Sequence, residues 1–115
     1  MEVDEDAALV REAVALLRSG RLYGTSGAAA LAAALLHCYN HATWRFDVTD
    51  LRMMDARLEL LAWAVLRYRV AGHEPQHALA GGDAEFRPIV WSYGAATWCA
   101  PEPFQPHDKP AGWEE

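Results

Sequence analysis

Histidine is the residue type with the widest chemical scope in this chain, which holds five of them. His37 and His41 stand four apart at the end of an aliphatic run. On a helix that spacing turns both imidazoles to one side, where they could share a metal ion. His73 and His77 repeat the spacing around Pro75, and the two pairs together would make a four-ligand zinc site. No glutamate lies between His37 and His41, so the zincin helix motif is absent. A histidine in the last turn of a helix also gains from the macrodipole there. We take this second reading and expect no metal or cofactor, with His37 and His41 as the candidate ligands if one is bound. Ser19, Ser26 and Ser92 are explained by helix ends, and no G-x-S-x-G elbow is present. Gly24-Thr25-Ser26-Gly27 precedes a helix as a phosphate cradle would, yet it lacks the lysine and glycine spacing of a P-loop. A turn followed by a helix cap is expected there. Asp47, Asp50 and Asp55 could be read as an acid/base or Mg²⁺ cluster, but capping accounts for at least two of them. The residues point away from an enzyme.

Tryptophan is in excess, with five in 115 residues. Trp63 falls among the apolar positions of a helix and is expected in the core, as is Trp91. Trp98 and Trp113 lie in or beside a proline-rich end with no evident core to join, and aromatic residues of this kind anchor protein interfaces. Charge is also unevenly placed. The formal net charge is -6. Residues 1–12 hold Glu2, Asp4, Glu5, Asp6 and Glu12 against Arg11, and residues 100–115 hold Glu102, Asp108, Glu114 and Glu115 against Lys109. Such a balance excludes a general nucleic-acid binder, which needs a basic footprint. It suits a surface steered to a basic protein. The candidate partner-binding residues are therefore Asp4, Glu5, Asp6, Glu12, Trp98, Trp113, Glu114 and Glu115.

Helices must position these groups. Leu9, Val10, Ala13, Val14 and Leu17 follow the one-face spacing of a helix from about Asp4 to Ser19, with acids in its first turn and Gly20 as its stop. Ser26 is expected to cap a second helix reaching Tyr39 or Asn40. Its six alanines with Leu31, Leu35, Leu36 and Cys38 make it apolar nearly all round, so it belongs at the centre. Asp47 and Thr49 open a short helical turn. Asp55 caps a third helix, about Ala56 to Val70, whose apolar residues include Leu58, Leu61, Ala62, Val65 and Leu66, with Leu60 and Trp63 extending burial. Gly72 ends it. A last helix runs through Phe86, Ile89, Val90 and Tyr93, capped by Asp83 or starting at Pro88, and closed by Gly94. The fold expected is all-α: a single-domain irregular or orthogonal bundle of four main helices plus a short helical turn. It would span residues 1–99, followed by an extended proline-rich tail over residues 100–115.

At 115 residues, 52% hydrophobic and 23% charged, the chain can bury one core without staples. Two cysteines are too few for a disulfide framework, and Cys38 among aliphatic residues reads as a small buried hydrophobe. The acidic start does not resemble a signal peptide. Leu22 to Trp44 carries no formal charge, but its apolar part, Ala28 to Leu36, is far short of the roughly 20 residues a membrane span needs. A cytoplasmic protein with no membrane contact is expected.

Ser26-Gly27 leading into an aliphatic helix, Tyr39-Asn40 at its end, the hexapeptide Phe46-Asp47-Val48-Thr49-Asp50-Leu51, Asp55, Pro75, Phe86 and Tyr93-Gly94 together resemble an uncharacterised bacterial family. The similarity covers roughly residues 9–94. It implies a small helical protein of the kind carried on plasmids, prophages and integrative elements of proteobacteria, and it brings no catalytic residue. The expected function is a non-catalytic inhibitor or accessory protein docking on a basic host protein complex, in the manner of an anti-CRISPR protein. The alternatives are a small metal-binding protein using His37 and His41, or a structural homo-oligomer such as a homodimer.

Overall fold

The structure, a computed structural model, describes residues 3–104. Its α-helices are α1 (Val3–Arg18), α2 (Ser26–Tyr39), α3 (Ala56–Val70) and α4 (Arg87–Thr97). Three 3₁₀ segments, Val48–Met53, Pro75–Ala78 and Gly82–Phe86, join them. The described residues form no strand beyond one isolated antiparallel bridge between Trp44 and Trp98.

Local chemistry explains the ends. α1 carries Asp4, Glu5 and Asp6 in its first turn and Arg18 in its last, matching the macrodipole. Gly20 follows at φ 75°, a left-handed conformation that glycine adopts without steric cost. The cap of α2 is Thr25, one residue before the expected Ser26. Thr25 Oγ1 accepts the Ala28 N–H at 3.2 Å and donates to the Leu22 carbonyl at 2.8 Å. Asp47 accepts the Thr49 N–H at 3.0 Å and opens the first 3₁₀ turn. Asp55 accepts the Leu58 N–H at 2.9 Å and caps α3 as expected.

α2 is the centre. It packs against α1, α3 and α4, and Leu31, Leu35 and Leu36 are fully buried. Its alanines let the neighbouring helices approach. α1 lies beside α3 and antiparallel to it, since Asp6 reaches Arg67 and Glu12 reaches Arg57. No described helix is long and apolar enough to cross a membrane.

Three expectations are corrected, and the connection from α3 to α4 carries two 3₁₀ turns, Pro75–Ala78 and Gly82–Phe86. Asp83 does not cap the last helix: α4 begins at Arg87, within one residue of the alternative start at Pro88, which sits in the first turn where a missing N–H costs nothing. Gly94 does not close α4, which continues to Thr97. Gly94 instead gives room, because a Cβ there would stand 2.9 Å from the Phe104 ring and 3.3 Å from Trp44 Nε1. Finally, Trp63 is not core. Burial on α3 is confined to the arc of Leu58, Leu61, Ala62, Ala64, Val65 and Tyr68, and Trp63 lies on the opposite side.

Candidate functional site

The acids named from the sequence have different fates. Asp4 and Glu5 are exposed on α1. Asp6, next in line, falls on the inward arc of the helix and its side chain is only 5% exposed. Its two oxygens accept from Arg67 Nη2 at 2.9 Å and Nε at 3.3 Å. Glu12 is exposed but held by the Arg57 guanidinium, whose Nε lies at 3.0 Å. Asp6 is thus corrected from a docking residue to a strut between α1 and α3. Glu12 makes the same bridge from the surface.

The aromatic candidates also separate. Trp98 is half-buried and meets Trp44 edge to face at 5.6 Å and Phe104 at 5.3 Å. Its indole N–H donates to the Glu102 carbonyl at 2.7 Å. Trp44 donates to the Gly94 carbonyl at 3.1 Å, so it caps an end of α4 from across the fold. Backbone bonds from Arg45 to Thr97 and from Cys99 to Thr43 hold the two segments together. Trp98 therefore has a core to join. Trp113, Glu114 and Glu115 lie outside the described residues, as does most of the expected tail.

His37 and His41 remain neighbours, with ring centroids 6.4 Å apart. His37 Nδ1–H donates to the Trp44 carbonyl at 2.9 Å, which fixes the ring. His73 stacks on Tyr68 at 5.0 Å instead of completing a four-histidine set. Among the described residues no group of three or more His, Cys, Asp or Glu side chains is placed to hold a metal ion. Asp47 and Asp55 are occupied as caps, so the aspartates do not form a joint acid/base cluster. Cys38 is buried, and burial pushes its thiol up from 9.0 to about 11, with Arg69 opposing in part. A thiol so raised is a packing group, not a nucleophile. A cleft beside the start of α2, lined by Thr25, Ser26, Ser92, Tyr93 and Thr97, carries no charged side chain. The Tyr93 and Thr97 hydroxyls at its wall are buried and find no hydrogen-bond partner among the described residues.

The feature that sequence reasoning missed lies on α3. Ala56, Leu60, Trp63, Arg67 and Val70 follow alternating steps of four and three, which place them along one side of a helix. Leu60 is 44% exposed, Trp63 42% and Val70 87%, and Val3 of α1 adds 41% beside them. Two hollows lie on this face. One, of about 390 Å³, is lined by Val3, Asp6, Trp63, Leu66, Arg67, Val70 and Ala71. The other, of about 370 Å³, is lined by Ala56, Glu59, Leu60, Trp63 and Arg67. Trp63 and Arg67 wall both, so the hollows form one continuous face. Its indole N–H donates to Glu59 at 3.2 Å, and Arg67 is steadied by Asp6. The signal was present in the sequence as a second apolar stripe on α3, opposite the first.

The described residues thus define an all-α domain with an apolar, charge-rimmed helix face. The chain belongs to a family of unknown function (DUF7673), whose profile matches residues 6–93. This agrees with the expected resemblance in that the family is an uncharacterised one. No curated protein matches the chain, and no solved structure does.

Proposed function

We propose that this protein is a non-catalytic protein-binding module whose docking surface is the outer face of α3 with the first turn of α1. The observation that carries the reading is the solvent-facing stripe of Leu60, Trp63 and Val70. Scattered apolar residues are normal on a surface, whereas a contiguous patch around a tryptophan, rimmed by charge, has the composition of an interface. Arg67 and Trp63 are residue types that dominate binding energy when desolvated. In its finer form the proposal is a cytoplasmic inhibitor or accessory protein from a proteobacterial mobile element, acting on a basic host protein complex as an anti-CRISPR protein does. Asp4 and Glu5, exposed in the same helical turn as Val3, supply the negative charge for such a partner.

A photo-crosslinking residue placed at Leu60 or Val70 tests this in cells. Covalent protein adducts are expected at both positions and at much lower yield from Ala29, which is exposed on α2. Adducts formed equally from all three, or from none, would overturn the reading.

A further inference from the structure

Among the described residues nothing covers the outer face of α3, and the order of its side chains restricts what can. We propose that a second copy of this chain does so, its α3 lying antiparallel across this one about a two-fold axis at Trp63. This rests on reading the face as a protein-binding surface and gives its α3 stripe to a second copy, so that a host complex is met by the exposed acids Asp4 and Glu5. Counting outward from Trp63, Ala56 and Val70 are each seven residues away, Glu59 and Arg67 four, Leu60 and Leu66 three. A two-fold axis at Trp63 therefore sets the small Ala56 against Val70 of the other copy and Leu60 against Leu66. It also brings Glu59 level with the other copy's Arg67. With helix axes about 9 Å apart, the Cα atoms of such pairs come within about 7 Å, close enough for a Glu–Arg pair.

The available atoms agree. Arg67 spends Nε and Nη2 on Asp6, which leaves Nη1 for a second carboxylate. Glu59 spends Oε2 on Trp63 and keeps Oε1. A parallel pairing would set Glu59 level with Glu59 and Arg67 with Arg67, and like charges disfavour it. A stable dimer takes roughly 800 Å² from each partner. One helix stripe is narrower than that, and Val3 with its turn of α1 widens the face.

Light scattering and sedimentation of the full chain over a concentration series test the proposal. A dimer is expected. Trp63→Glu and Val70→Asp should each raise its dissociation constant by at least about thirty-fold, as loss of an interface anchor does. Circular dichroism checks that both variants keep the helical fold, and both positions are exposed. Register is read by disulfide trapping in a Cys99→Ser background. Trp63→Cys, at the axis, should cross-link to its own copy. Ala56→Cys, about 21 Å from its counterpart, should not. A monomer throughout the series would overturn the inference. So would cross-linking from Ala56→Cys but not from Trp63→Cys, or an adduct from Leu60 within the same chain to residues 105–115. Adducts from Leu60 to a different protein, with a monomer in solution, would overturn the dimer and leave the protein-binding reading standing. Absence of both dimer and adducts would overturn the two together.

Discussion

Asp4, Glu5 and Asp6 are three consecutive acids, and nothing in their types separates them. The hundred-degree step of the helix does. Asp6 is turned toward α3 and enclosed, and Arg67 meets it with two hydrogen bonds. Removing the guanidinium leaves a buried carboxylate uncompensated, and that penalty exceeds the worth of the pair itself. Arg67→Met should therefore lower stability by about 2 kcal/mol, measured by urea unfolding. Adding Asp6→Asn in the same chain should return part of the loss. Neutralising Asp4 or Glu5 should change stability by less than about 0.5 kcal/mol, because each is exposed. A second contrast separates the thiols: a disulfide reagent at pH 8 should modify Cys99 rapidly and Cys38 only on unfolding, given their exposed and buried settings. The composition at these sites was legible, but the pairing was not. Sixty-one residues separate Asp6 from Arg67, and only the antiparallel contact of α1 with α3 joins them.

Element boundaries were read well where one side chain decides them. Asp47 and Asp55 cap their helices as their types suggest, and the limits of α3 agree with the sequence. Thr25 and Ser26 are adjacent, both good caps, and propensity cannot choose between them. The structure chooses Thr25, so Thr25→Ala should cost about 1 kcal/mol in thermal or urea unfolding while Ser26→Ala stays near neutral. Gly94 departs from the helix stop its type suggests, since α4 continues to Thr97. Glycine often ends a helix, but here it is wanted for its missing side chain, where Trp44 and Phe104 press on α4. Gly94→Ala should destabilise by roughly 1–3 kcal/mol despite alanine's better helix propensity, because ring atoms must shift. The change in tryptophan fluorescence should report displacement of Trp44 or Trp98. On α3 the sequence held two apolar stripes, and periodicity alone does not say that only one is covered.

At the scale of the molecule, the buried Cys38 and the half-buried Tyr39 give the protein an alkaline limit. Cys38 titrates near 11 instead of 9.0 because burial disfavours its thiolate. Tyr39, stacked on Phe86 at 4.4 Å, rises to about 12 through burial and the nearby Asp83. Each is an acid that keeps its proton in the folded state at a pH where the unfolded chain has released it. Their contribution is intact below about pH 9 and is lost as pH rises through the folded values. Stability should thus fall between pH 9 and 12, by about 2 kcal/mol from Cys38 over pH 9 to 11. Cys38→Ala should flatten that part of the curve in a pH series of urea unfolding, whatever it does to absolute stability.

By itself the sequence determined the class of fold: helix-period apolar spacing, side-chain caps and glycine stops are local signals, and local signals survive in one dimension. It also placed α2 at the centre, since a helix apolar on every side has nowhere else to go. Tertiary structure alone decided which groups stayed at the surface. Packing α1 on α3 consumed Asp6 and drew in Glu12, the Trp44–Trp98 bridge absorbed an aromatic residue that seemed free, and the bundle stopped one layer short of Leu60, Trp63 and Val70. Exposure depends on what every other element covers, and no window along the chain contains that sum.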